Sequence, residues 1–216
     1  MLHEIADELK KEKPALFRNA VQDLFSWSEL ENLLNLRPFV NADRMKTVNE
    51  NPYSWQRQAW MTDVNCFPPS LLDGVIRENL CLLIDASRTN HKINTICKQL
   101  EDTFIGGASD AHIYFTLSDN VADTFGIHWD FSHNLIVQVA GETEFKAWDL
   151  WSSQDRNVQS LPEPPVIETL LTPGDAVFVP KHYYHLAQSK TKRLSISFPV
   201  SFGDELASQD RHWIRL

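Results

Sequence analysis

The sequence predicts a mainly β protein with flanking helices: a β-barrel or sandwich in the C-terminal half, with a helix-rich N-terminal part packed on it. Three observations predict it. Beyond residue 111, eight short apolar runs (AHIYFTLS, TFGIHWD, NLIVQVAG, TEFKAWDLW, PVIETLLT, DAVFVP, YYHLAQS and RLSISFPV) alternate with turn residues. That density of short strands fits a sandwich or barrel, not an alternating α/β sheet. Upstream the runs lengthen and take helical spacing. Finally, no repeat or low-complexity linker divides the 216 residues, a length that one domain with a sizeable core accommodates. The expected division within one domain is a helix-rich part over 1–110, a barrel core over 111–199 and a tail over 200–216.

Residues 2–12 have the pattern of a short helix, ended by Pro14, and ALFRNAV (15–21) that of a strand. SWSELENLLN sets Glu29 three residues after Ser26, a capping-box pattern that predicts a helix from Ser26. WQRQAWMTD (55–63) has strand composition, and Pro68 and Pro69 precede a helical pattern over 70–79. LCLLIDAS (80–87) is apolar without alternation and predicts a buried strand. NTICKQLEDTF (94–104) spaces its apolar residues helically, and Gly106 and Gly107 stop it. TPGDAVFVP (172–180) predicts a tight turn feeding a strand, with Asp175 as a turn former, and LPEPP (161–165) predicts a loop.

A hydrophobic content of 43% and a charged content of 23% suit a soluble globular chain. The net charge of -9, with no basic run, argues against a nucleic-acid partner. Cys66, Cys81 and Cys97 match no zinc spacing and predict buried free thiols in a reducing compartment. The first residues lack the apolar core of a signal peptide, and no apolar run reaches membrane-spanning length, so the expectation is a cytoplasmic protein with no membrane partner.

The chemistry concentrates in GIHWDFSHNLIVQVAG (126–141). On a strand, alternate residues share a face, so His128 and Asp130 point one way and Trp129 the other. A histidine near a strand end is more often an ordinary hydrogen-bonded residue than a ligand, and H-x-D recurs by chance. A third ligand would change that reading. Among His112, His133, His182 and His185, the best candidate is His185, on a strand just after the P-G-D turn and its strand. Two histidines and a carboxylate on one face of an octahedron leave three adjacent positions open for substrate and dioxygen.

The order Y-F-T … H-W-D-x-x-x-N-x-x-x-Q-x-x-G … W … L-x-P-G-D-x-x-x-x-P-x-x-x-x-H … S-I-S-F, over about 111–199, resembles the JmjC-like branch of the cupin superfamily. The resemblance implies a double-stranded β-helix, or jelly-roll, with His128, Asp130 and His185 holding Fe(II). It implies a dioxygenase that uses 2-oxoglutarate as cosubstrate with O2, forming succinate and CO2 as it hydroxylates a protein or peptide side chain or a small metabolite. Much of this family has a lysine fifteen residues after the first metal histidine, where it binds the far carboxylate of 2-oxoglutarate; here Thr143 stands there. Arg193, Ser195 and Ser197 share one face of the last strand, and Arg-x-Ser after the distal histidine resembles the cosubstrate clamp of other 2-oxoglutarate oxygenases. Arg193 is thus expected to anchor the carboxylate, unless it lies at the surface of a Lys-Thr-Lys-Arg turn. Asn134, Tyr114 and Thr116 are the remaining cosubstrate candidates, Gln138 shares Asn134's face, and Trp129 and Trp148 are read as packing residues. Related proteins include dimers, so a homodimer is an expectation. The alternatives are a metal-binding cupin enzyme without 2-oxoglutarate, favoured by Thr143, and a non-catalytic JmjC-like binding module.

Overall fold

The computed structural model describes residues 2, 5–35, 45–48, 80–84, 86–119, 126–151, 161 and 164–203. The strand predicted at 55–63 and the helix at 70–79 lie outside them. Three helices, α1 (Ala6–Leu9), α2 (Trp27–Leu34) and α3 (His91–Thr103), accompany eleven strands among the described residues. The strands are β1 (Ala15–Phe17), β2 (Met45–Val48), β3 (Leu80–Leu83), β4 (Gly107–Ser109), β5 (His112–Thr116), β6 (His133–Ala140), β7 (Thr143–Trp151), β8 (Ile167–Leu171), β9 (Ala176–Val179), β10 (Tyr183–Ser189) and β11 (Arg193–Phe202). They form a larger sheet in the order β1-β9-β6-β11-β5-β3-β2, with β4 beside β11, and a smaller one in the order β10-β7-β8. All pairings are antiparallel, and the two sheets face each other as a jelly-roll.

The central strands of the larger sheet are buried on both faces. Leu194, Ile196 and Phe198 of β11, Leu135 and Val137 of β6, and Ile113 and Phe115 of β5 join a core with Leu9, Leu30, Leu33, Ile93, Ile96 and Leu100 of the helices. Their alternate neighbours Arg193, Ser195, Ser197, Asn134, Gln138 and Thr116 are also buried, on the face turned toward the smaller sheet. Farther along that interface, Ile136, Val177 and Val179 pack with Phe145, Ala147 and Leu171. The space between the sheets is therefore apolar at one part and polar at another.

Local signals explain the helix boundaries. Ser26 accepts a hydrogen bond from the Glu29 amide (3.3 Å) and Asn90 accepts one from the Ile93 amide (3.0 Å), so both longer helices start on a side-chain cap. At the β6–β7 turn, Gln138 Nε2 donates to the carbonyls of Ala140 (2.8 Å) and Gly141 (3.1 Å). Gly141 has φ +74°, and a Cβ there would lie 1.7 Å from the Lys192 carbonyl oxygen, so the turn needs glycine for space as well as for dihedral freedom.

Several expectations change. The N-terminal part does more than cover the barrel with helices, because β1 pairs β9 and β3 pairs β5, extending the larger sheet. The helix over 2–12 contracts to Ala6–Leu9, and the strand over 80–87 ends at Leu83. TFGIHWD is not a strand over its described part; it makes an isolated bridge, His128 with His185, and β6 begins only at His133. The ladder breaks there because the Asp130 carbonyl is taken by the His182 amide (2.7 Å) of the turn before β10.

Asp175 does more than shape its turn. It accepts from the Thr172 amide and hydroxyl (both 3.0 Å), the Asn19 amide (3.1 Å) and Arg18 (2.6 Å), while Arg18 also donates to the Leu170 carbonyl and Thr169. This clasp fastens the chain after β1 to β8 and β9. Burial pushes the carboxyl up, but the hydrogen bonds from Thr172, Asn19 and Arg18 outweigh it and hold Asp175 below the usual carboxylate range. Such a group stabilises the fold above the unfolded carboxyl pKa of about 4, and that contribution fades as pH falls through the depressed folded value. Asp175→Asn is therefore expected to lose about 1–3 kcal/mol at pH 7. Urea unfolding of both proteins checks this: the gap should be full at neutral pH and shrink in acid below about pH 4.

Candidate metal centre

His128 and His185 are direct antiparallel partners. The His128 amide donates to the His185 carbonyl (3.0 Å), and the His185 amide donates to the His128 carbonyl (2.8 Å). Residues opposite each other in such a pair project to one face, and the two imidazole centroids lie 4.2 Å apart. Asp130, two residues beyond His128, completes the group: one donor atom from each of the three lies within 4.8 Å of the others.

Their hydrogen bonds fix what those atoms can do. His128 Nδ1 lies 2.9 Å from the Gly126 carbonyl oxygen, and His185 Nδ1 lies 3.2 Å from that of Tyr183. A carbonyl only accepts, so each Nδ1 carries a proton, and Nε2 is the nitrogen each ring leaves for a metal. Burial, with the charge of His128 adding to it, pushes the His185 imidazole down to about 4 against the opposing pull of Asp130. His185 is thus neutral at pH 7, yet its Nε2 lies only 3.5 Å from Asp130 Oδ2. The His185 lone pair and a carboxylate meet with no proton between them, which suits a divalent cation; imidazole nitrogen with carboxylate oxygen is a donor set for iron.

Asp130 is held from two sides. Asn134 Nδ2 donates to Asp130 Oδ2 (2.7 Å), and Ser197 Oγ donates to Asn134 Oδ1 (3.1 Å), a relay from β11 through β6. On the backbone, His182 adopts φ +66°, in the left-handed region, as its amide reaches the Asp130 carbonyl. Asn134 and Ser197, expected at the cosubstrate, are thus linked to Asp130.

The other candidates scatter by role. Thr143 donates its hydroxyl to Gln138 Oε1 (3.0 Å), which commits its only donor. Thr116 Oγ1 accepts from the Ser118 amide (3.1 Å) at its own strand end. Ser195 receives Arg193 Nε (3.0 Å), and Arg193 is buried rather than lying at the surface of its turn. Tyr114 pairs with Ser195 across β5 and β11; its phenol is pushed up chiefly by burial, then by Asp130, against the pull of Arg193. His112 lies 3.7 Å from Asp110, and His133 stacks on Phe104 in the outer core (centroids 4.9 Å apart). The His182 ring packs with Trp129 and Phe131, with centroids 5.1 and 5.7 Å away. Sequence reading missed Ser189, whose hydroxyl lies 3.4 Å from Arg193 Nη1; only the register of β10 reveals it.

Fold and site together define a jelly-roll with a polar stretch between its sheets and a His–Asp–His group where β10 meets the chain before β6. The chain belongs to the JmjC domain family, whose model matches residues 83–206. It is 27% identical over 141 residues to a bifunctional lysine-specific demethylase and histidyl-hydroxylase NO66 of Caenorhabditis briggsae, a match covering 58% of this chain and 17% of that protein. The Caenorhabditis elegans counterpart is 26% identical over the same length, so the chain spans less than a fifth of these curated relatives. Among solved structures, Escherichia coli YcfD, a ribosomal oxygenase solved with cobalt and 2-oxoglutarate, shares the fold with a TM-score of 0.62 at 16% identity. That match covers 96% of this chain and 55% of YcfD.

Outer hydrogen bonds to a metal ligand typically change affinity tenfold to a hundredfold. Asn134→Ala is accordingly expected to weaken Co(II) binding by about 10- to 100-fold with an unchanged circular dichroism spectrum, whereas His128→Ala should abolish it; calorimetric titration measures both.

Proposed function

We propose that this chain is an Fe(II)- and 2-oxoglutarate-dependent oxygenase that hydroxylates a side chain of a protein. The observation that carries the reading is the convergence, within 4.8 Å, of two imidazoles whose Nδ1 atoms are each held by a backbone carbonyl and a carboxylate oriented by Asn134. His128 Nε2, Asp130 and His185 Nε2 would hold the iron, which when bound supplies activation of O2 coupled to oxidative decarboxylation of 2-oxoglutarate.

The chain's own residues divide the remaining work. Asn134 and Ser197 keep the Asp130 carboxylate turned toward the two histidines. The Gly126 and Tyr183 carbonyls prevent the rings from flipping or changing tautomer. Phe145 stacks near His185, with centroids 6.1 Å apart, and helps keep water from that side. Tyr114, with its phenol raised, stays protonated at neutral pH and so acts as a donor within the site.

The substrate class draws support from the relatives. NO66 is named a lysine-specific demethylase and histidyl-hydroxylase, and YcfD a ribosomal oxygenase, so protein side chains are favoured over a small metabolite. A net charge of -9 also favours a basic polypeptide segment over an acidic one.

Iron-loaded protein supplied with 2-oxoglutarate and O2 is expected to release succinate, and Asp130→Ala or His185→Ala to release none. Mass spectrometry of proteins incubated with the enzyme should find a gain of one oxygen atom. Absence of succinate from iron-loaded protein, with and without such proteins, would overturn the reading.

A further inference from the structure

The turn between β9 and β10 is held at three consecutive amides. Lys181 N–H donates to His133 Nδ1 (3.3 Å), His182 N–H to the Asp130 carbonyl (2.7 Å), and Tyr183 N–H to the Pro180 carbonyl (3.2 Å). The bond to Asp130 is made with His182 at φ +66°. A non-glycine residue keeps that conformation only where its surroundings over-determine it. The bond from Lys181 to His133, one residue upstream, supplies part of that determination.

His133 opens β6 and is 1% exposed. Its ring stacks on Phe104 and Phe178, with centroids 4.9 and 5.9 Å away, and Phe202 meets it edge-on at 5.7 Å. These three rings, from the end of α3, from β9 and from β11, fix the imidazole plane and with it the direction of Nδ1. A backbone amide only donates, so Nδ1 here keeps its lone pair and the ring proton is on Nε2. That is the opposite tautomer to His128 and His185, whose Nδ1 atoms meet carbonyls. Packing among three phenylalanines needs no nitrogen, and burying a polar ring there costs desolvation. The acceptor for Lys181 is what the imidazole adds over an apolar ring.

The position also has a counterpart. His133 and Asn134 are neighbours on β6 and so project to opposite faces. On the polar face, Asn134 donates to the Asp130 carboxylate. On the face toward the helices, His133 reaches the Asp130 carbonyl through the Lys181 and His182 amides. The first two residues of β6 thus hold one aspartate by its side chain and by its backbone.

We propose that His133 is a positioning residue of the metal centre: by accepting from the Lys181 amide it locks the β9–β10 turn and, through His182, fixes the backbone that carries Asp130. Iron as the metal held in catalysis rests on the oxygenase reading above; the coupling of position 133 to the metal centre does not, and Co(II) reads it.

Two substitutions separate the nitrogen from the packing. His133→Phe keeps an aromatic ring in the stack and removes the acceptor. His133→Asn gives up the stack but sets Oδ1 as many bonds from the backbone as Nδ1, so the Lys181 amide keeps an acceptor. In calorimetric titration, His133→Phe is expected to raise the Co(II) Kd about 10-fold. His133→Asn should stay close to the wild-type Kd, although it melts at a lower temperature because of the cavity it leaves. Hydrogen exchange on the metal-free proteins should show the Lys181 and His182 amides opening faster in His133→Phe than in the wild type. Wild-type Co(II) affinity in His133→Phe, or weak binding by a folded His133→Asn, makes His133 a packing residue and overturns the role. Should His133→Asn fail to fold, His133→Phe decides alone: weaker Co(II) binding together with faster exchange at His182 supports the role, and the absence of either overturns it. Succinate formation by the iron-loaded wild type is a separate readout, so its failure removes the oxygenase reading and leaves the Co(II) comparison standing.

Discussion

Everything at the site depends on a sheet face that is polar and yet buried. Asn134, Gln138, Ser195, Ser197 and Arg193 are each at most 5% exposed, on strands whose opposite faces pack against helices. Buried polar atoms must find partners within the protein or in what it binds. Most of them do: Ser197 with Asn134, Asn134 with Asp130, and Gln138 with Thr143 and the β6–β7 turn. What stays unbalanced after this pairing is the metal-ready group at one place and the guanidinium at another. The scaffold thus absorbs most of its own polarity on this face.

Rigidity at the histidines follows from backbone pairing more than from the side chains. His128 lies outside any regular strand, but its amide and carbonyl are both used by His185, so the two Cα positions are fixed relative to each other. Each ring is then fixed by a carbonyl two residues upstream on its own chain segment. The left-handed backbone at His182 belongs to the same device. It turns the chain so that one amide meets the Asp130 carbonyl just before β10 starts. Strain of about 1–3 kcal/mol at a non-glycine residue with positive φ is offset by contacts that include the packing of the His182 ring on Trp129 and Phe131.

How far the sequence reveals this differs by feature. Seven of the eight runs after residue 111 form strands, because period-two alternation and turn residues are local signals. TFGIHWD does not form one, because its backbone partners are set by long-range pairing with β10 that composition does not encode. The shared face of Arg193, Ser195 and Ser197 is legible from alternation alone, whereas alternation cannot say that both faces of β11 are buried. Roles within the polar face were hardest to read. Asn134 and Ser197 bond toward Asp130, Thr143 bonds to Gln138, and Ser189 enters through a cross-sheet contact, none of which alternation along a strand reveals.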